Sequence, residues 1–123
     1  MKVPFVTLKP LENELDKQLK MAFERVLDAS FYIHGGEDEA FEKAFSEYCG
    51  ARYCAGCGNG LDALMLSLKA LGIGEGDEVI VPANTYIATA LAVSYTGATP
   101  VLVDPDTDTF NIDVSKIERA ISD

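Results

Sequence analysis

At the foot of a leucine-rich segment the sequence concentrates glycine in the run Gly56-Cys57-Gly58-Asn59-Gly60-Leu61. Backbone N–H groups in such a turn, reinforced by the positive end of a following helix dipole, can hold a phosphate. Glycine suits the task because no Cβ keeps the anion away from the N–H groups, yet by spacing alone the same residues serve equally well as a plain tight turn. Two nucleotide motifs fail here. A P-loop needs Lys followed by Ser or Thr after its last glycine, and neither follows. A dinucleotide fingerprint read from Gly56 ends on Leu61, where glycine or alanine is required, and the acidic residues about 20 positions on, Asp77 and Glu78, open a strand instead of closing one. Asn59 is a good N-cap, and Asp62 stands where it can reach back to complete a capping box. The Asp62 charge is unfavourable beside a phosphate but does not exclude one.

Other reactive residues form no convincing constellation. Cys54-Ala55-Gly56-Cys57 has the spacing of a redox or metal motif, but a second ligand pair is missing and His34 is the sole histidine. The three cysteines, Cys49, Cys54 and Cys57, are therefore expected to be reduced, buried and inert, with no metal site. No Ser/His/Asp or Cys/His grouping can be assembled around His34. The many carboxylates fit a solvated acidic surface.

The elements that must position the glycine turn follow from periodicity. From Pro10 to about Ala29, Leu11, Leu15, Leu19, Ala22, Phe23 and Val26 mark one apolar stripe of an amphipathic helix. Ser30 to Gly36 form an aromatic-rich loop, and Glu37, Asp38 and Glu39 then place negative charge at the start of a second helix, which Gly50 ends. Beyond Gly50 short strands and helices alternate. Strands are expected at Tyr53–Gly56, Glu78–Pro82 and Thr99–Val103, and helices at Gly60–Leu71, with a stripe of Leu61, Leu64, Met65, Leu68 and Leu71, and at Tyr86–Tyr95. Asp113 caps a last helix with the stripe Val114, Ile117 and Ile121. Apolar runs read as strands buried on both faces of a parallel sheet. The class is α/β, one incomplete domain in all: a leading helical segment at 1–50 and the first strands and helices of a larger sheet at 51–123. Because the alternation calls for another strand after Asp123, and three parallel strands leave exposed edges, a partial chain is expected.

Composition narrows the partners. Twenty acidic residues against ten basic ones, a net charge of −10 without any basic cluster, leave no electrostatic footprint for nucleic acid or anionic membranes. No apolar run approaches the roughly 20 residues that span a bilayer. The opening Met1-Lys2-Val3-Pro4-Phe5 lacks the form of a secretory signal, so a cytoplasmic location is expected.

The motifs Gly58-Asn59-Gly60-Leu61-Asp62-Ala63-Leu64, Gly74-Glu75-Gly76-Asp77-Glu78-Val79-Ile80-Val81-Pro82 and Asn84-Thr85-Tyr86-Ile87-Ala88-Thr89 occur in this order, followed by Gly97-Ala98-Thr99-Pro100-Val101 and Asn111-Ile112-Asp113. Together they resemble the DegT/DnrJ/EryC1/StrS aminotransferases over essentially the whole chain, most of all members acting at C3 of nucleotide-linked 3-keto-6-deoxy sugars. The resemblance implies the amino-terminal part of the large domain of a fold-type I enzyme dependent on pyridoxal 5'-phosphate (PLP), a homodimer that moves an amino group from a donor such as glutamate to a nucleotide-linked keto-deoxysugar. It also implies that the amides of Gly60, Leu61 and Asp62 hold the PLP phosphate, that Tyr86 stacks on the pyridine ring, and that Tyr32 and His34 lie in a loop facing the sugar. A helix-start core aromatic is the plainer reading of Tyr86, and loop packing that of Tyr32 and His34. The lysine that forms the family's Schiff base with PLP has no counterpart here, so no catalytic residue is assigned and this chain alone is not expected to transaminate. The rival readings are a non-catalytic family-like module and a nucleotide-binding α/β domain.

Overall fold

The computed structural model of the chain describes residues 3–122, and the chain divides into two compact units, Met1–Gly56 and Cys57–Asp123. The first is helical. Helix α1, Lys9–Ala29, has Pro10 in its first turn, where a missing N–H costs nothing, and ends on Ser30 in the left-handed region. Helix α2, Gly36–Cys49, carries Glu37, Asp38 and Glu39 in its first turn and stops at Gly50, whose φ of 65° is one that glycine adopts freely. Arg25 of α1 donates to both carboxylate oxygens of Glu37 at 2.6 and 3.0 Å. Phe41, Phe45 and Tyr48 follow one another along α2, with the first two rings stacked at 5.5 Å. Neither helix buries a residue completely, so the stripes expected to form a core are at most half-covered among the described residues.

The second unit alternates helix and strand. Helix α3, Gly60–Ala70, leads into strand β1, Glu78–Pro82; helix α4, Ala88–Ser94, then crosses to strand β2, Thr99–Val103. The two strands pair in parallel, Ile80 opposite Val101 and Pro82 opposite Val103. A parallel pair needs such a crossover, and α4 provides it. Two tight turns hold the ends. Gly74 N–H donates to the Asp77 carboxylate at 2.8 Å, and Gly97, at φ 91°, lets α4 turn into β2 so closely that a Cβ would sit 3.4 Å from the Glu75 nitrogen. The core is small: Val81, Val93 and Ala98, backed by Leu68, Ile73 and Val79. Helix α5, Val114–Ile117, passes into a 3-10 turn at Glu118–Ala120 and is capped by Asp113, whose carboxylate accepts from Ser115 N–H at 3.0 Å.

Several sequence expectations change. Tyr53–Gly56 is no strand, and the sheet of the described residues has two strands, not three. A strand requires a neighbouring ladder, and the Gly56 N–H instead donates to the Glu42 carboxylate of α2 at 2.6 Å. Helix α4 begins at Ala88 and leaves Tyr86 in the turn before it. In α3, Leu61, Met65 and Leu68 are half-buried, whereas Leu64 and Leu71 are exposed; Val114 and Ile121 are exposed as well. The strands are only partly covered, with Val81 and Val103 buried but Leu102 62% exposed. The α/β class stands.

Candidate functional site

The glycine turn and the start of α4 face a common cavity of about 770 Å³. It opens beside the segment that follows the carboxyl end of β1, the usual place for a ligand in an open α/β sheet. One wall is the first turn of α3, with Asn59, Gly60, Leu61 and Leu64; the other is Tyr86, Ile87, Thr89 and Leu91.

The first wall is built by a cap. Asn59 is extended, and its Oδ1 accepts from Asp62 N–H at 2.9 Å while its Nδ2 donates to Asp62 Oδ2 at 2.9 Å. Asn59 carbonyl oxygen accepts from Ala63 N–H at 3.1 Å. Those bonds consume the amides of residues 62 and 63 and leave the N–H groups of Gly60 and Leu61 without a partner among the described residues. Orphan donors at a helix start are what an anion satisfies. At Gly60 a Cβ would meet nothing within 4 Å, so this first residue of α3 is uncrowded.

The second wall is built by a turn. Tyr86, in the turn before α4, is 80% exposed, and its carbonyl accepts from Thr89 N–H at 3.0 Å, which ties that turn to the start of the helix. Thr85 and Thr89 hydroxyls lie 2.8 Å apart, and Thr89 also lines the cavity. The reading of Tyr86 as a core aromatic does not hold, because its ring is uncovered. An uncovered phenol ring facing a mainly apolar cavity offers a flat surface for a flat ligand. Donors for a phosphate at one wall and an aromatic face at the other fit a phosphorylated planar ring such as PLP. Neither a lysine nor a carboxylate lines the cavity.

The expected site residues separate into groups. Gly60, Leu61 and Tyr86 come together around the cavity. Asp62 does not line it, and its amide is taken by Asn59. Tyr32 and His34 belong to the other unit, in the loop joining α1 to α2; Tyr32 is exposed, and His34 adopts φ 50°. Leu64 and Thr89 are lining residues that sequence reasoning assigned to the core or left unassigned; for Thr89 the available signal was its place four positions after Thr85, whose hydroxyl it meets. All three cysteines are free, but Cys49 and Cys57 are exposed and Cys54 half-buried, contrary to the expectation of buried thiols. Cys57 Sγ–H donates to Asn59 oxygen at 3.4 Å, which holds it to the turn surface. No cluster of three His, Cys, Asp or Glu residues suited to a metal occurs among the described residues, and no helix there is long and apolar enough to cross a membrane.

Comparison with known proteins gives consistent matches. Residues 13–123 match the profile of the DegT/DnrJ/EryC1/StrS aminotransferase family. The chain is 54% identical over 120 residues to dTDP-3-amino-3,6-dideoxy-alpha-D-galactopyranose transaminase of Aneurinibacillus thermoaerophilus, covering 98% of this chain and 33% of that protein. Among solved structures, Streptomyces venezuelae DesV in complex with a ketimine intermediate superposes with a TM-score of 0.92 at 50% identity, over 98% of this chain and 33% of the other. Bacillus subtilis NtdA with bound cofactor PMP gives 0.90 at 41% identity, over 98% and 28%. The chain thus spans about a third of the length of these relatives.

Proposed function

The chain belongs to the DegT/DnrJ/EryC1/StrS aminotransferase family, and from that premise we propose that it forms the phosphate-holding and ring-stacking part of a PLP site in a sugar aminotransferase. The complete protein transfers an amino group from an amino acid such as glutamate to a nucleotide-linked keto-deoxysugar. It works in the cytoplasm as a homodimer. The observation that carries the reading is the shared cavity: two unpaired amides, Gly60 and Leu61, face the same space as the uncovered ring of Tyr86.

Bound there, PLP supplies the electron sink that makes amino transfer feasible. The residues of this chain do the holding. Gly60 and Leu61 N–H groups would donate to the phosphate, aided by the positive end of α3. Tyr86 would offer its face to the pyridine ring, and Leu64, Ile87 and Leu91 would supply apolar lining around it. Tyr32 and His34 contact the sugar. The amine that attaches the cofactor and carries the proton comes from outside these residues, since the cavity lining contains no lysine.

A non-catalytic member that keeps the cradle is the second reading, and the same lysine-free lining favours it. Two measurements on the complete protein decide. Tyr86→Ala should weaken PLP binding about tenfold, the loss of a stacked ring, while Tyr86→Phe keeps it. Incubation with PLP, glutamate and a nucleotide-linked 3-keto-6-deoxy sugar should give an aminated sugar by mass spectrometry. PLP binding without that product supports the second reading, and equal binding by wild type and Tyr86→Ala overturns the site.

A further inference from the structure

We propose that Asn59 is a positioning residue for the cofactor phosphate, acting through its two-ended grip on Asp62. The inference rests on the cavity being the PLP site.

An aspartate in the first turn of α3 carries two groups that bear on an anion held there. Its N–H is a further donor, and its carboxylate is a like charge. Asn59 engages both: Oδ1 takes the N–H at 2.9 Å and Nδ2 holds Oδ2 at 2.9 Å. The restrained carboxylate lies over Gly58, where Oδ2 would stand 3.2 Å from a Cβ at that position. Asp62 accordingly does not line the cavity, although it directly follows two residues that do. Gly58 is the residue that makes room for this arrangement, since any side chain there would crowd the carboxylate.

The consequence is a division of labour within four residues. Gly60 and Leu61 present the donors, while Asn59 and Asp62 neutralise each other's polar groups and fix the turn. If the grip is lost, the Asp62 carboxylate is free to swing, and a unit negative charge several ångströms from a phosphate is repulsive even in a partly solvated site. Serine at 59 separates the two halves of the grip: its hydroxyl still caps the Asp62 N–H, but it has no amide group to hold the carboxylate.

The test uses the complete protein and compares PLP with pyridoxal, which lacks the phosphate. Wild type should bind PLP much more tightly than pyridoxal. Asn59→Ser should keep the thermal midpoint, weaken PLP about fivefold and change pyridoxal much less; adding Asp62→Asn, which removes the charge, should restore PLP affinity. If Asn59→Ser weakens both ligands alike, or Asp62→Asn gives no rescue, the positioning role is overturned and the residue only caps the helix. If wild type itself does not prefer PLP to pyridoxal, the cofactor reading fails instead, and the role of Asn59 falls with it.

Discussion

Gly60 separates stability from binding more cleanly than any other residue in the cavity wall. It sits at the first position of α3 with open space where a Cβ would be, and its φ does not fall in the left-handed region. Alanine is therefore tolerated by the fold, and by restricting the unfolded chain it should raise stability by roughly 0.5 kcal/mol. The added methyl, however, enlarges a residue that lines the cavity beside an unpaired amide. Gly60→Ala should leave or raise the melting midpoint while lowering PLP affinity about tenfold, as expected when a charge-assisted hydrogen bond is disturbed. Equal PLP affinity in a calorimetric titration would remove Gly60 from the cradle. A different residue sets an acid dependence. Asp106 Oδ1 accepts from Thr109 N–H at 2.8 Å, Thr109 hydroxyl at 2.9 Å and Asp108 N–H at 3.1 Å. These bonds, led by that of the Thr109 amide, hold the carboxyl below its ordinary pKa, against small opposing effects of desolvation and Asp113. Since the folded value lies below the unfolded one, the stabilisation is complete above the unfolded pKa and disappears as pH falls through the folded one. Carbon-13 titration of the Asp106 carboxyl should show a depressed midpoint, and Thr109→Ala should move it back toward the ordinary range.

Among the elements, α4 ties the cavity to the core. Its Val93 is 1% exposed and packs with Val81 of β1 and Ala98, while the first turn of the same helix carries Thr89 into the cavity. Val93→Ala removes fully buried methyl groups from a core too small to refill the space, and should cost about 2 kcal/mol in denaturant unfolding. The loss should also blur the Tyr86 wall, so PLP affinity should fall in parallel; unchanged stability would show that the core lies elsewhere. The strands that Val93 braces were legible from their sequence. Glu78–Pro82 and Thr99–Val103 are compact apolar runs bounded by Gly76 and Gly97, and both form as expected. The caps Asn59 and Asp113 were equally clear, because an N-cap is a local interaction between residues close in sequence. What pattern reading missed depends on distant neighbours. Tyr53–Gly56 stands between a helix and a glycine turn, where the alternation calls for a strand, but no ladder is offered to it, and Glu42 takes the amide that a ladder would have used. Leu64 has the spacing of a core leucine, yet the surface it would cover is the open cavity. Of the cavity lining, Gly60, Leu61 and Tyr86 were singled out through motif resemblance; their meeting around one space is a tertiary fact that neither glycine spacing nor a lone aromatic could supply.

At the scale of the molecule little of the apolar side-chain surface is enclosed within either unit. Phe23, Phe41, Tyr48, Leu71 and Leu102 are among the large apolar side chains left open to solvent, and only five hydrophobic residues are buried among the described ones. Exposed apolar area on this scale marks surface intended for contact with other polypeptide. Relatives about three times as long offer such polypeptide, and the high superposition on them means that the elements seen here already have the form they take in the larger fold. The physical expectation is that this stretch acquires its shape from local caps, turns and one small core but its stability from further packing. The 123-residue chain expressed alone should therefore bind the dye ANS several-fold more strongly than the complete protein and unfold over a broad, weakly cooperative range, with helical circular dichroism retained. A sharp two-state transition with negligible dye binding would show that the core of Val81, Val93 and Ala98 is sufficient, and that the open aromatic faces of α1 and α2 serve something other than packing.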